Sequence, residues 1–348
     1  MTMKLFNRFK TDVGVDLGTA NSLVYLKGEG IIINEPTIIA LNKKTNQALA
    51  VGHEAKRMLG RTPQHVEVIR PLVNGVISDF LMTQEVLKHF LTRVKKDSLF
   101  RYVRAVVAVP ANLTEVERKS VEDAVVSSGA SSAYLLEEPV AAAIGAGLPT
   151  DEPTASMMVD IGGGTTEIAI ISMGGVVVSR SLKVAGDKMD EDIMRFIKED
   201  FKMAIGEATA EAVKMSIGAA LPMEKKSEMS IFGRDLSSGL PKEVVIKDSQ
   251  VRIALTPALK KIAEAVKTTI EETPPELAGD ILKRGVYLSG GGGMLRGLAD
   301  YLSSELAVKT ILVDDPLTCV ARGTGIAIES IDRYQDLFSA TLKPMHLQ

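Results

Sequence analysis

The sequence predicts an α/β protein made of two related halves that face each other across a cleft. Three observations predict it. The first is Met158-Val159-Asp160-Ile161-Gly162-Gly163-Gly164-Thr165-Thr166-Glu167, followed by the apolar run Ile168 to Ile171. Two β-branched runs flank glycines and threonines, which reads as a strand, a tight turn with exposed backbone N–H groups, and a returning strand. The second is Val13 to Leu26, where Asp16, Gly18, Thr19, Ala20 and Asn21 repeat that order near the start of the chain. The third is an alternation of strand-like and helix-like segments within each half, most simply a parallel or mixed doubly wound sheet. One such hairpin alone is equally an ordinary turn. Two copies, each opening its own half, make a clamp for a nucleotide, with Asp16 and Asp160 where a carboxylate meets a phosphate-bound cation directly or through its waters.

Composition sets the bounds. With 348 residues and 45% hydrophobic content, the chain can bury a large core and is expected to be a soluble globular protein of two or more domains. A net charge of -3 and a pI near 5.9 argue against a nucleic-acid partner, because phosphate neutralisation needs a concentrated basic face. Cys319 is the only cysteine, so disulfides within the chain and Cys-based zinc sites are excluded, and it is expected to pack as a small hydrophobe. The histidines at 53, 65, 89 and 346 show no metal-ligand spacing.

Residues 1–10 place Met1, Leu5, Phe6 and Phe9 on one helical face, with Lys4, Arg8 and Lys10 supplying cations and no acid before Asp12. That pattern is a short amphipathic membrane-surface segment, or else a terminus packed on the body by its phenylalanines. No run approaches the length of a membrane span. Gly28 to Gly75, broken by Pro36, Lys43-Lys44 and Asn46, reads as an inserted subdomain, with Arg61 and Arg70 in a solvated exit loop. A helix follows from Thr83 to Val94, with Val86, Leu87, Phe90, Leu91 and Val94 on one face.

Ala105 to Val109 is a continuous apolar run, the mark of a strand buried on both faces. Thr114 to Glu117 forms a capping box that opens a helix to about Ser128. The strand Ala133 to Leu136 then leads into Glu137-Glu138-Pro139 and a helix of small residues. Glu138, at a strand's carboxyl end, is the candidate to orient an attacking water. Two acids at a helix start also simply favour its positive end. In the second half, Val176 to Val184 continues the sheet, and Met189, Ile193, Phe196 and Ile197 mark a helix. Glu207 to Gly218 is another, on which Glu211 and Lys214 form either a surface ion pair or polar contacts to a ribose or base. Leu221 to Val251 is the second inserted subdomain, and Thr256-Pro257 is expected to start a long helix. Val286 to Ser289 runs into Gly290, Gly291, Gly292, Gly293, Met294 and Leu295, a third glycine-rich strand end that lets backbone approach a flat or anionic ligand.

These residues carry a family resemblance. The two Asp-containing hairpins, Glu138-Pro139 and Leu288-Ser-Gly-Gly-Gly resemble the actin, sugar-kinase and DnaK-type ATPase superfamily. Longer stretches are similar to its bacterial actin branch, the MreB family, over nearly the whole chain. They include Asp16-Leu-Gly-Thr-Ala-Asn-Ser, Asn34-Glu-Pro, Met58-Leu-Gly-Arg-Thr-Pro, Gly186-Asp-Lys-Met-Asp-Glu, Pro274-Pro-Glu-Leu-Ala and Asp315-Pro-Leu-Thr-Cys-Val-Ala-Arg-Gly. Departures are Gly293 where Ala is usual and Ser289 where Thr is usual, and the tail from Tyr334 to Gln348 has no readable pattern.

The resemblance implies an actin-like ATPase fold with two RNase H-like halves. Its four subdomains would be IA (11–32, 75–150 and 316–348), IB (33–74), IIA (151–187 and 250–315) and IIB (188–249), after a membrane-binding segment at 1–10. It implies slow hydrolysis of ATP with Mg2+ and a homopolymer on the inner face of the cytoplasmic membrane. That filament would guide cell-wall synthesis for rod shape beside proteins such as RodZ and MreC. Position by position, Gly18, Thr19, Ala20 and Asn21 with Gly162, Gly163, Gly164, Thr165 and Thr166 would clamp the phosphates. Asp16 and Asp160 would lie near magnesium, Glu138 would position the lytic water, and Glu211 and Lys214 would approach ribose and base. Gly290 to Leu295 would line the adenine pocket. The competing class is a soluble small-molecule kinase, but no separate carboxylate motif asks for the base that a hydroxyl acceptor needs.

Overall fold

The computed structural model describes residues 10–94 and 102–339. The chain opens on an antiparallel meander of β1 (Lys10–Leu17), β2 (Asn21–Leu26) and β3 (Gly30–Pro36). It then leaves for a small sheet made by β4 (Ile39–Asn42), β5 (Ala48–Val51) and, after α1 (His53–Met58), β6 (Val66–Ile69). The short strands β7 (Leu72–Val73) and β8 (Val76–Ile77) lead to α2 (Phe80–Val94). β9 (Tyr102–Val109) returns to the main sheet parallel to β1, and after α3 (Glu115–Ser127) β10 (Ser132–Glu137) lies parallel to β9 and runs into α4 (Glu138–Gly145). The capping box at Thr114 is formed as the sequence predicts.

The second half repeats this plan. β11 (Ser156–Ile161), β12 (Thr166–Ser172) and β13 (Gly175–Leu182) make the meander. Then come α5 (Gly186–Phe201), β14 (Met203–Ala204), α6 (Glu207–Ile217) and the hairpin of β15 (Glu228–Asp235) and β16 (Pro241–Lys247). After α7 (Asp248–Glu271) and α8 (Pro275–Arg284), β17 (Val286–Ser289) pairs parallel to β11. α9 (Gly290–Gly293) and α10 (Leu298–Leu306) precede β18 (Thr310–Leu312), α11 (Cys319–Glu329) and β19 (Phe338–Ser339). The main sheets therefore read β3-β2-β1-β9-β10 and β13-β12-β11-β17-β18, with the same order and directions, β19 being added beyond β10. The repeat seen in sequence is a repeat of topology.

Strand alternation divides the core into layers. Ala105, Val107 and Val109 pack into the outer core of the first half, whereas Val106 and Ala108 face a middle layer. Met157, Val159 and Ile161 belong to the second half's core, and Met158 to that same middle layer. The middle layer holds α4 and α11, so these two helices lie between the sheets. They cross closely: a Cβ on Gly145 would sit 1.9 Å from the Cys319 carbonyl oxygen, and one on Gly323 1.7 Å from that of Ala141. Cys319 is buried here as expected, with its thiol donating to the Ala142 carbonyl at 3.1 Å.

Three expectations change. β3 hydrogen-bonds to β2, so the main sheet continues to Pro36 and the inserted layer starts after it. The long helix does not start at Pro257; it starts at Asp248 and carries Pro257 inside. The apolar face Val251, Leu255, Leu259, Ile262 and Val266 is continuous through the proline, and Ile253, whose carbonyl loses its partner, is exposed to water. The tail supplies β19, antiparallel to β10. The amphipathic start at 1–10 falls outside the described residues except for Lys10, which begins β1. No helix of the described residues is long and apolar enough to cross a membrane.

Candidate functional site

The two hairpin loops meet at the floor of a cleft of about 430 Å3 between the halves. A Cβ on Gly163 would fall 2.6 Å from the Ala20 methyl, and one on Gly164 2.7 Å from Thr19 Oγ1, so only glycine lets the loops approach this closely. Several of their carbonyls are already taken. Thr37 donates to Gly18 O at 2.6 Å, and the N–H groups of Gly186 and Asp187, at the start of α5, donate to Gly162 O and Gly163 O at 3.1 and 2.8 Å. The amides of Thr19, Ala20, Gly163 and Gly164, by contrast, donate no hydrogen bond among the described residues. Loops with committed carbonyls and free amides form a cradle for an anion.

Four carboxylates surround this cradle. Asp16, near the end of β1, lines the cleft and is half-buried, while Asp160 at the end of β11, Glu138 at the start of α4 and Glu167 on β12 are buried. Loss of hydration pushes Asp16 up to about 8, and the charge of Asp160 pushes the same way. Burial raises Asp160 to about 6, against the pull of Ser289, whose hydroxyl donates to its Oδ1 at 2.6 Å. Burial also lifts Glu138 well above the usual carboxylate range, followed by the charges of Glu167, Asp160 and Asp16. No Lys or Arg among the described residues pairs with these four carboxylates, and a divalent cation shared with phosphate oxygens is the group whose chemistry fits them. Among the described residues no set of three His, Cys, Asp or Glu side chains is arranged to hold a metal by itself.

The third glycine run closes one wall. Gly290 has φ of 79°, and a Cβ there would lie 2.3 Å from the Ile161 carbonyl oxygen, so α9 is pressed onto the end of β11. Met215, Met294 and Leu317 are exposed beside it and line the cleft, giving apolar surface for a flat ring. Of the residues expected in the site, Thr166 and Gly293 do not reach the cleft wall. Thr166 is buried behind the loop and donates to Val184 O at 2.8 Å, and Gly293 is buried in α9.

Glu211 and Lys214 do line the cleft, but each has its own partner. Lys214 Nζ donates to Gly186 O and to Asp190 Oδ2, both at 2.8 Å. Glu211 pairs across the cleft mouth with Lys56 of α1, with Nζ 3.0 Å from Oε2. Arg70 spans the same mouth to Glu207 at 3.2 Å and Asp187 at 3.9 Å.

The family model described as MreB/Mbl protein matches residues 10–336. This chain belongs to the MreB/Mbl family. It is 46% identical over 325 residues to the cell shape-determining protein Mbl of Bacillus subtilis (strain 168), covering 93% of this chain and 98% of the relative. Identity is also 46% over 345 residues to the cell shape-determining protein MreB of Escherichia coli (strain K12), covering 97% and 99%. Among solved structures, MreB5 of Spiroplasma citri bound to ADP superposes with a TM-score of 0.90 at 40% identity, over 94% of this chain and 98% of that one. The fold is the actin-like ATPase fold.

Several cleft residues of this MreB/Mbl chain escaped sequence reasoning. Asp187 and Asp190 follow Gly186 at helical spacing, a signal that could have placed both on the face of α5 turned to the cleft. Met215, Arg296 and Leu317 carry no local signal. Glu167, buried behind the cleft wall, looked like one more hairpin residue.

Proposed function

We propose that this MreB/Mbl chain binds Mg2+-ATP in the cleft and hydrolyses it slowly. We further propose that it assembles as a homopolymer on the inner face of the cytoplasmic membrane, organising cell-wall synthesis to maintain rod shape. The observation that carries the nucleotide reading is the pair of loops with free amides facing clustered carboxylates in one cleft. The Spiroplasma citri relative's bound ADP supports it. Gly18 to Asn21 and Gly162 to Thr165 would hold the phosphates, Asp16 and Asp160 the magnesium through its waters, and Gly290, Gly291, Gly292, Met294 and Leu295 with Met215 the base. Magnesium, when bound, neutralises phosphate charge. Glu138 accepts a hydrogen bond from the attacking water and then its proton, while buried α4 keeps bulk water out.

The filament reading follows from scale. Relatives named for determining cell shape act over lengths far beyond one chain, and a head-to-tail interface that does not close generates a filament. The division into subdomains IA, IB, IIA and IIB is part of this proposal, with IB beginning after Pro36 rather than at residue 33 because β3 belongs to the main sheet. So are attachment through residues 1–10 to anionic lipid and partners of the RodZ and MreC kind. Electron microscopy of the purified protein on an anionic lipid monolayer with Mg2+-ATP, beside a chain lacking residues 1–10, tests it. Filaments on lipid that vanish with the truncation are expected. No filaments in any nucleotide state, with phosphate transfer to a small acceptor, would replace the reading with a kinase.

The ion pairs at the cleft mouth give a smaller effect. Removing both Lys56 and Arg70 side chains is expected to speed release of a fluorescent adenine nucleotide by about two- to fivefold in low salt, because exposed pairs contribute little each. The gain should shrink at high salt, and stopped-flow release rates at two ionic strengths decide it.

A further inference from the structure

Glu167 lies behind the cleft wall and differs from the cleft carboxylates in what holds it. It is fully buried, faces Asp160 across the β11–β12 ladder, and pairs with no Lys or Arg among the described residues. Its oxygens are taken by donors from opposite halves. Ser181 Oγ on β13 donates to Oε1 at 2.6 Å, and the backbone N–H of Ala111, just past β9, donates to Oε2 at 3.2 Å. The Ala111 carbonyl accepts from Arg118 Nη2 at 3.2 Å, and that nitrogen also reaches Glu137 Oε1 at 3.4 Å. Glu137 is the residue immediately before α4, whose first residue is Glu138. A continuous chain of hydrogen bonds thus runs from the second phosphate hairpin to the backbone that carries Glu138.

The segment in the middle has little room to drift. A Cβ on Gly75 would lie 2.5 Å from Pro110 Cγ and 3.4 Å from Thr165 Cγ2, so the β7–β8 turn is pressed against both Pro110 and the second loop. Burying a carboxylate beside another acid is unfavourable, and a fold retains it where the bonds it makes matter.

We propose that Glu167 and Arg118 are positioning residues: through Ala111 and Glu137 they tie the second phosphate hairpin to the start of α4, so the placement of the two halves sets where the Glu138 carboxylate sits. This rests on Glu138 as the residue that orients the attacking water. The tie needs an oxygen for the Ala111 N–H and a partner for Ser181, and a glutamine supplies both.

The test uses the full chain and the variants Glu167→Ala, Glu167→Gln, Arg118→Ala and Glu138→Ala. Single-turnover phosphate release, affinity for a fluorescent ATP analogue and thermal midpoint are measured for each. Glu167→Ala is expected to slow release by up to about 100-fold, since a small misplacement of a reacting group suffices. Arg118→Ala is expected to slow it by about tenfold, and affinity to move by less than about threefold in both. Glu167→Gln should restore most of the rate. Wild-type rates in both alanine variants overturn the tie, and so does a Glu167→Gln rate as low as that of Glu167→Ala, which would assign charge instead. Should Glu167→Ala not fold, Arg118→Ala carries the test. Slow Glu138→Ala with normal Arg118→Ala and Glu167→Ala sinks only the tie. Normal Glu138→Ala sinks the Glu138 assignment, and slow Arg118→Ala beside it shows the tie serving some other group.

Discussion

Replacing Glu138 by alanine is expected to slow single-turnover phosphate release by about 100- to 10,000-fold, the range lost when a positioned general base is removed, with nucleotide affinity little changed. Glu138 is the first residue of α4 and is buried, and its nearest charges are all negative. Only a cation among those acids brings it into the ionised form that accepts a proton, so its activity is coupled to bound magnesium and phosphate. Glu138→Gln keeps the size and the hydrogen bond but cannot take the proton, and it should be nearly as slow. The competing role, an acid favouring the positive end of a helix, predicts a loss of a few tenths of a kcal/mol in stability and no change in rate. Thermal melts beside phosphate release separate the two, and unchanged turnover in Glu138→Ala removes the catalytic assignment.

What sequence conveyed and what it hid follow one physical division. The two hairpins, the capping box at Thr114 and the strand end before Glu138 are set by neighbouring residues, so period and glycine placement reveal them. The topological repeat was legible for the same reason, because each half starts from its own local signal. Partners far apart in the chain were not legible. Glu167 meets Ala111 56 positions away, and Lys56 meets Glu211 at a separation of 155. Nothing local marks either pair. Pro257 misled because a local rule, that proline starts helices, lost to a continuous buried face on both sides of it. Glu211 and Lys214 line the cleft, but their partners, Lys56 and Asp190, come from elements that only the folded chain sets beside them.

The affinity of the wild type for Mg2+-ATP is expected to tighten by about tenfold per pH unit between about pH 5 and pH 7 for each proton displaced, and Asp16→Asn is expected to lose most of that slope. Asp16 is pushed from 3.8 to about 8 by burial and by Asp160, which is itself raised to about 6 by burial. Between those limits the empty folded chain holds a proton on Asp16 that the unfolded chain has already released. The folded state therefore binds more protons, and this group's contribution to stability declines as pH rises from about 4 to 8. A cation at the phosphates requires the ionised carboxylate, so binding expels the proton and grows stronger with pH until the empty-state value near 8 is passed. The thermal shift produced by Mg2+-nucleotide should accordingly be larger at about pH 8 than at pH 6. Protonation of the nucleotide itself is common to both chains, so the difference between the wild-type and Asp16→Asn profiles isolates this side chain. Parallel profiles in calorimetric titrations would take Asp16 out of the site, and the second hairpin's Asp160 would then stand alone beside the phosphates.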